Sequence, residues 1–323
     1  MRIRKTLNLL GIKMNLDTAF NINGGAGRVL CSIPAFELYE QENPDDNFII
    51  VVDYGIEFFM AHPTLYKRCY EQSHKNLFTD LIEDMNYISP EPYHVREYFT
   101  QQCSIAQAFD IAINNKGIRD LSTPRLNFAR SEEQSAIETL NNIRKDRKNK
   151  KIIIFQPFGR GADLDSTTVN LDPYGKSFSV QDTVQIINAL QEKYTVVVMS
   201  EKQLNFTELG CNDVPAQIPN LNLRQWAALI KYCDYFFGCD SVGQHVAYTV
   251  NKKSTVVLGS TFAINVSYPK SGIFNIVDLG IDKKMYSPIR LCTDQVADLN
   301  NERLMELDED SFNRIIKSVN TNI

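Results

Sequence analysis

Short apolar runs alternate with stretches of helical length along most of this chain, and this alternation restricts its fold more than any other feature of the sequence. When a helix of about 10–15 residues separates two strands, the strands pair in parallel, because the helix carries the chain back across the sheet. The predicted strands lie at 18–23, 47–53, 152–156, 194–199, 235–239 and 254–259. The sequence therefore predicts an α/β protein whose parallel sheets are connected by crossover helices.

The helices complete the pattern on both sides of the middle of the chain. Compact helices are predicted at 28–41, 131–143, 180–192, 223–233 and 241–250, and two longer helical stretches at 64–85 and 95–114. Ligands of open α/β sheets bind at the carboxyl ends of the strands. Functional residues are therefore expected in the loops that lead from a strand into a helix.

A dense basic segment, RKDRKNKK at 144–151, separates the two halves, and the buried-strand run IIIF follows directly after it. We expect a solvated helix end or linker there, and a domain boundary. The 323 residues also suit about two domains. The prediction is two Rossmann-like domains facing across a cleft, at 1–148 and 149–323, with the last helix packing back on the first domain.

Composition excludes several classes of protein. The net charge of −5 argues against a broad basic surface for nucleic acid or anionic membrane. The sequence lacks a run of about 18 apolar residues, so no membrane span is predicted, and the first residues do not resemble a signal peptide. Seven scattered cysteines without a C-x-x-C pair suggest free thiols rather than a zinc or disulfide framework. We expect a cytoplasmic protein.

Two loops contain glycines or cations that suit an anionic ligand. The first, NGGAGR at 23–28, lies between a predicted strand and its helix; glycines allow close backbone approach, and the helix start offers N–H groups. A tight structural turn is the alternative. The second spans 156–179 and carries Arg160 and Lys176, two cations for a phosphate or diphosphate. Its Asp163-Leu-Asp165 triplet has too few oxygen ligands for a hard cation, so no metal site is predicted.

The third loop, at 236–247, is the most informative. A strand ends at Cys239 and a helix follows at once, with Asp240 or Ser241 as the expected N-cap. Free N–H groups at 242–244 would then face an anion, and His245 would reach a phosphate or ribose oxygen. A histidine packed behind the helix start is the alternative. The candidate ligand-binding residues of this loop are Asp240, Ser241, Val242, Gly243, Gln244 and His245.

These segments resemble the heptosyltransferases that use ADP-heptose, a family of inverting, two-Rossmann (GT-B) glycosyltransferases. The segment DSVGQHVA at 240–247 is similar to the family's Asp-Ser/Thr-Gly-Pro-x-His-x-Ala, and the following STVVLG and Ser260-Thr261 to its next strand and loop. Lys176-Ser177-Phe178-Ser179 is similar to the family's Lys-x-Trp-Pro, whose lysine contacts the donor, and 27–35 (GRVLCSIPA) to Gly-Asp-Val-Leu-x-x-x-Pro-Ala.

The resemblance implies a glycosyltransferase that moves a sugar from a nucleotide diphosphate-sugar to a hydroxyl of a saccharide or other acceptor, with inversion and without a metal or other cofactor. The donor would bind the second domain, near Arg160, Lys176, Ser177 and 240–245. The acceptor would lie against the first domain, near Gly24, Gly25, Gly27 and Arg28. Offsetting the leaving-group charge with cations and helix N–H groups removes the need for a metal.

One departure from the family concerns the general base. Arg28 stands where the family has the acidic residue of Gly-Asp-Val-Leu, and inverting transfer needs a base within reach of the acceptor hydroxyl. By position, Asp53, Asp17 and His62 are the candidates, and Arg28 could instead hold an acceptor phosphate or carboxylate.

Two alternatives to this enzyme remain open at the sequence level. One is a non-catalytic nucleotide-sugar-binding protein that has lost the base, which Arg28 favours. The other is a glycosyltransferase acting on modified nucleic-acid bases, for which the basic segment 144–151 is the support and the acidic net charge is the counter-argument.

Overall fold

The computed structural model describes residues 18–148, 150–159, 162, 172, 175–201, 203–218, 220–284, 290–292, 295–296 and 303–323. Contacts divide the chain into two compact units. Unit 1 comprises the described part of Met1–Val95 together with Ile105–Asn127, and unit 2 comprises Arg96–Ser104 together with the described part of Phe128–Ile323. Unit 2 therefore includes residues on both sides of the basic segment. The domain boundary after residue 148 stays a prediction.

Unit 1 contains a parallel sheet of four strands in the order β3-β2-β1-β4. Its strands are β1 (Thr18–Ile22), β2 (Ile49–Val52), β3 (Cys69–Glu71) and β4 (Asn86–Ile88). β1 and β2 are buried throughout, as expected of apolar strands in the centre of a sheet. Ile22 pairs with Val52 in register, so the loops that follow β1 and β2 start side by side.

Two long helices complete unit 1. Helix α1 (Ala26–Glu42) packs against helix α2 (Ile105–Asn114), and the buried rings of Phe20 and Phe36 meet edge to face at 5.4 Å. The shorter helices are Ile56–Phe59, Leu65–Arg68 and Pro92–His94, all 3₁₀, and the π-helix Phe78–Ile82.

The two long helical stretches predicted for the first half are wrong in detail. Between 64 and 85 the chain forms two short helices on either side of β3, and β4 follows as an edge strand that was not predicted from the sequence. Between 95 and 114 the helix is interrupted. Gln101 has φ of +58°, which ends the short helix Arg96–Phe99 before α2 begins.

Unit 2 contains a parallel sheet of six strands in the order β10-β9-β8-β5-β6-β7. The strands are β5 (Ile152–Gln156), β6 (Thr195–Val198), β7 (Ala216–Gln217), β8 (Tyr235–Cys239), β9 (Ser254–Leu258) and β10 (Phe274–Asp278). A separate antiparallel pair is formed by β11 (Arg290–Cys292) and β12 (Gln295–Val296). The strand β5 lies at the centre of the sheet, where Phe155 stacks on Phe237 with ring centroids 4.5 Å apart.

Unit 2 also contains helices. They are α3 (Arg130–Asp146), α4 (Val180–Gln191), α5 (Leu223–Tyr232), α6 (Val242–Thr249), α7 (Glu309–Asn322), and the short helices Arg96–Phe99 and Ala263–Val266. Packing of the last helix on the first domain stays a prediction. In the structure, Ile315 and Val319 of α7 lie in the core of unit 2, because the apolar stripe of this helix covers β9 and β10.

Candidate functional site

The carboxyl end of β8 carries a buried aspartate with three side-chain partners. The Asp240 carboxylate accepts hydrogen bonds from Lys176 Nζ at 2.9 Å, Gln244 Nε2 at 2.6 Å and Thr261 Oγ1 at 3.0 Å. The lysine comes from the loop before α4, the glutamine from α6 and the threonine from the loop after β9. Three strand-to-helix regions of the second sheet thus meet at one carboxylate.

The charges at this cluster are set by burial and by their neighbours. Burial alone would raise the pKa of Asp240, but Lys176, His245 and the hydrogen bonds outweigh it and hold the pKa below its ordinary value. Burial lowers the pKa of His245 to about 4, with Lys176 also lowering it and Asp240 opposing. At neutral pH the site therefore holds a carboxylate, an ammonium group and a neutral imidazole.

The start of α6 is tied to the end of β5. The Gln156 side chain donates to Ser241 Oγ at 3.0 Å and accepts from the Gly243 N–H at 2.8 Å. A Cβ atom at Gly243 would lie 2.3 Å from Gln156 Oε1, so this contact needs glycine. Gln156 was not predicted from the sequence, because a glutamine that ends a buried strand has no motif of its own.

The helix-start geometry predicted for 242–244 is partly wrong. Of the two residues expected as N-cap, Asp240 and Ser241, the structure has Ser241. Its side chain makes no capping hydrogen bond. The Gly243 N–H donates to Gln156 Oε1 and the Gln244 N–H to Ser241 O, so these two N–H groups are engaged within unit 2. The donor-binding roles of Ser241, Val242, Gly243 and Gln244 stay predictions.

Lys176 is held in place by its own loop. The backbone N–H groups of Lys176 and Ser177 both donate to Asp172 Oδ2, at 3.3 and 2.8 Å, and Ser177 Oγ accepts from Gly159 N–H at 2.9 Å. Gly175 O accepts from the Ser260 N–H, which brings this loop against the one after β9. The other residues predicted in the loop, Arg160, Asp163 and Asp165, lie outside the described residues.

In unit 1 the glycine loop closes around Arg28, which is buried. The guanidinium donates from Nε to Asn23 O at 2.9 Å and forks onto both oxygens of Glu91 at 3.0 and 3.1 Å. Gly24 has φ of +86° and lies directly against the Arg28 side chain. Burial lowers the pKa of Arg28, but Tyr93 and Glu91 outweigh it, and the net shift is upward. The use of Arg28 for an acceptor anion stays a prediction, and its partner in the structure is a carboxylate of the same unit.

Glu91 was not predicted from the sequence. This residue follows β4, a three-residue strand with two exposed positions and hence little apolar signal. Because β4 is the neighbour of β1 in the sheet, Glu91 reaches the loop that contains Arg28.

The three candidate bases differ in position. Asp53 directly follows β2 and is exposed at the carboxyl edge of the first sheet. His62 is buried: Nε2 lies 3.1 Å from Glu37 Oε1, and Nδ1 accepts from the Leu65 N–H at 3.1 Å. Both ring nitrogens of His62 are therefore engaged within unit 1. Asp17 lies outside the described residues.

The basic segment contacts its own unit. Arg144 pairs with Asp234 and Arg147 with Asp213, while Lys150 donates to the carbonyls of Gln191 and Glu192 at the end of α4, where a cation suits the helix dipole. At these three positions, the basic side chains on which the nucleic-acid hypothesis rested form ion pairs or hydrogen bonds within unit 2.

Two kinds of feature are absent from the described residues. They contain no group of three or more His, Cys, Asp or Glu side chains arranged to hold a metal ion. Among the helices in the described part of the chain, none combines the length and the apolar character needed to cross a membrane.

Comparison with known proteins identifies the fold. Neither a protein-family model nor a curated protein matches the sequence. Among solved structures, a glycosyl transferase family 9 protein from Veillonella parvula is 13% identical, with 95% of this chain and 98% of that chain covered and a TM-score of 0.60. The ADP-heptose LPS heptosyltransferase II of E. coli is 11% identical, with 94% and 98% covered and a TM-score of 0.60.

A third similar structure contains a nucleotide-sugar. It is TibC, a dodecameric iron-containing heptosyltransferase in complex with ADP-D-β-D-heptose, 10% identical, with 95% of this chain and 77% of that chain covered and a TM-score of 0.55. These matches extend over nearly the whole chain and confirm the structural resemblance expected from the sequence motifs. The chain has the fold of the heptosyltransferases, the GT-B type of α/β fold with two parallel sheets.

Proposed function

We propose that this protein is a glycosyltransferase that moves a sugar from a nucleotide diphosphate-sugar to a hydroxyl acceptor, with inversion and without a metal ion. The observation that carries the proposal is the cluster of Lys176, Asp240, Thr261 and His245 at the carboxyl end of β8. In open α/β sheets this is where ligands bind. Similar structures that are heptosyltransferases, one with ADP-D-β-D-heptose bound, support a nucleotide-sugar donor and make ADP-heptose the first donor to test.

The chemistry follows from the charges at the cluster. The acceptor oxygen attacks the anomeric carbon as the bond from that carbon to the diphosphate oxygen breaks, and the bonding electrons leave with the diphosphate. Lys176 offsets the growing negative charge, and the N–H of the neutral His245 donates a hydrogen bond to a diphosphate oxygen. Attack opposite the leaving group inverts the anomeric centre.

Asp53 is the base that we propose for the acceptor hydroxyl. It follows β2 at the point where β2 and β1 end side by side, next to the glycine loop, and its carboxylate is exposed. His62 is less suited, since both of its ring nitrogens already have partners within unit 1. The acceptor proton would pass to the Asp53 carboxylate as the new glycosidic bond forms.

A second candidate function is non-catalytic binding of a nucleotide-sugar. The observation that favours it is Arg28, whose guanidinium is buried and committed to Asn23 and Glu91 at the acceptor-side loop. Such a protein would bind the donor through the unit 2 cluster and would not turn it over.

Turnover of ADP-heptose with a pool of saccharide acceptors separates the two functions. We expect ADP release that depends on an acceptor, is unaffected by EDTA, and gives a product with inverted anomeric configuration by NMR.

Asp53→Asn should reduce turnover by about 10²–10⁴-fold, the range for general base catalysis. Glu71→Gln is the matched control, because Glu71 is an exposed carboxylate that ends β3 at the same edge of the sheet. Donor binding without release of ADP by any acceptor would instead favour the binding protein.

A further inference from the structure

The His245 ring contacts a tyrosine that lies outside the sequence motifs. The hydroxyl of Tyr268 lies 2.8 Å from His245 Nδ1, and the two rings meet edge to face. Tyr268 follows the short helix Ala263–Val266, so it reaches α6 from a separate element. Tyr268 therefore contacts one of the two ring nitrogens of the histidine that lies beside Asp240.

Aromatic packing fixes the position of the Tyr268 hydroxyl. The Tyr268 ring stacks on Tyr248, with centroids 3.6 Å apart and planes within 6°, and meets Phe274 edge to face at 5.2 Å. Tyr248 lies three residues after His245 on α6, so the same helix carries the imidazole and the ring that supports its partner. The hydroxyl is therefore held in one place relative to Nδ1.

The direction of this hydrogen bond determines where the imidazole proton lies. His245 is neutral at pH 7, because burial and Lys176 lower its pKa more than Asp240 raises it, so the ring carries a single N–H. A phenol, with a pKa of about 10, is a stronger proton donor than a neutral imidazole N–H. When Tyr268 donates to Nδ1, the ring proton has to be on Nε2.

We propose that Tyr268 is a positioning residue that holds His245 as the Nε2–H tautomer, so that His245 donates a hydrogen bond to the diphosphate of a nucleotide ligand. The diphosphate part rests on the function proposed above. In this proposal the Nε2 atom faces the ligand. Diphosphate oxygens accept hydrogen bonds, so the opposite tautomer would place a nitrogen lone pair against them. The charged groups that face the imidazole are Asp240, from the loop after β8, and Lys176, from the loop before α4.

Nitrogen-15 NMR of the full chain tests the tautomer without any ligand. The sequence has four histidines, and the signal of His245 is identified by its loss in His245→Gln. His62 is an internal reference: its Nδ1 accepts from a backbone N–H, so its proton is on Nε2 and faces Glu37. We expect the Nε2–H pattern for both histidines in the wild type. Tyr268→Phe, which keeps the stacked ring, should shift only His245 toward the Nδ1–H form.

Titration with ADP, UDP, GDP and CDP tests the ligand. For the nucleotide that binds the wild type, Tyr268→Phe should weaken binding by about three- to tenfold, the loss of one hydrogen bond of about 1 kcal/mol. In the His245→Gln background, Tyr268→Phe should have no further effect, because Tyr268 acts through the imidazole. Tyr248→Phe is the control, since it removes a hydroxyl from the other ring of the stack.

The outcomes separate this inference from the proposed function. An Nδ1–H signal for wild-type His245, or an unchanged tautomer in Tyr268→Phe, would overturn the role of Tyr268 even if a nucleotide binds. An Nε2–H signal together with no binding of any nucleoside diphosphate would support the tautomer, overturn its assignment to a diphosphate and count against the proposed function. An equal loss of affinity in Tyr248→Phe would show that the loss does not come from the hydrogen bond between the Tyr268 hydroxyl and His245 Nδ1, and would overturn the role of Tyr268 in ligand binding.

Discussion

At the scale of single residues, each unit has a charge pair that fixes the position of a candidate loop. Lys176 meets Asp240 in unit 2, and Arg28 meets Glu91 in unit 1. A buried pair gains little over apolar packing, yet removing one partner leaves an uncompensated charge. Such pairs therefore fix the position of a loop more than they add to stability.

Removal of the Glu91 charge should destabilise unit 1. The Arg28 side chain is 7% exposed and that of Glu91 16% exposed, so Glu91→Gln should cost about 3–5 kcal/mol. The double variant Arg28→Met with Glu91→Gln should recover most of this loss, because it leaves no unpaired charge. Hydrogen exchange of the α1 amides measures both changes.

A more exposed pair is the control for this prediction. Arg68 and Glu40 are each about a quarter exposed, and Glu40→Gln should cost only about 0–1 kcal/mol. Equal losses of protection in Glu91→Gln and Glu40→Gln would contradict the structural role of the Arg28–Glu91 pair.

The buried His245 should make unit 2 less stable in acid. Its pKa is about 4 in the folded protein against an ordinary value of 6.5, so between these values the unfolded chain binds a proton that the folded chain does not. Stability is therefore retained above pH 6.5 and lost as the pH falls toward 4. From pH 7 to pH 5 this group should cost about 2 kcal/mol.

Urea unfolding at pH 7 and pH 5 measures this effect. The chain has one tryptophan, Trp226 in α5, so its fluorescence reports on unit 2. His245→Gln should lose about 2 kcal/mol less than the wild type between the two pH values. The same loss in both proteins would show that His245 is not the group responsible.

At the scale of elements, burial decided which strands could be predicted from the sequence. The strands β5, β8 and β9 are apolar runs buried throughout, and they were predicted to within one residue. By contrast, β3 and β4 have three residues each and are half-buried or exposed. Without an apolar run, their sequences do not differ from those of the short helices next to them.

The same limit applies to the candidate site. Lys176, Asp240 and His245 were predicted because they belong to motifs next to strand-to-helix junctions. Thr261 stood in the resemblance without a role of its own. Gln156, Tyr268 and Glu91 belong to no motif and contact the candidate residues through tertiary structure. Tertiary contacts of this kind follow from the sheet order and not from spacing along the chain.

The junction between β5 and α6 gives a prediction at this scale. In Gly243→Ala the new methyl group would lie 2.3 Å from Gln156 Oε1 and 2.5 Å from Phe236 Cζ, both packed in the second sheet. We expect a loss of about 1–3 kcal/mol, the usual cost of overpacking. Urea unfolding followed by Trp226 fluorescence measures it.

A second glycine provides the matched control. A Cβ atom at Gly272 meets nothing within 4 Å, so Gly272→Ala should leave stability within about 0.5 kcal/mol of the wild type. Wild-type stability in Gly243→Ala would mean that α6 is free to move away from Gln156, which would contradict the close packing of α6 on the end of β5.

At the scale of the whole molecule, fold and function stand on different observations. The fold is shared with a glycosyl transferase family 9 protein and with two heptosyltransferases, over nearly the whole chain and at 10–13% identity. A fold of this kind hosts many activities, so function has to be argued from the site. The cytoplasmic location expected from the scattered cysteines stays a prediction, and so does the choice of acceptor. The central claim is that the unit 2 cluster binds a nucleotide-sugar.

Calorimetric titration with ADP-, UDP-, GDP- and CDP-sugars tests that claim most directly, on the wild type, Lys176→Met and Lys231→Met. Lys231 is the control, because it is also ion-paired and its side chain is 36% exposed against 31% for Lys176. We predict that one class of nucleotide-sugar binds the wild type. Lys176→Met should weaken that binding by about tenfold or more, which corresponds to about 1.4 kcal/mol. Lys231→Met should leave the affinity unchanged. A well-folded wild type that binds none of these sugars, or equal losses in both lysine variants, would contradict the assignment of the cluster to a nucleotide-sugar.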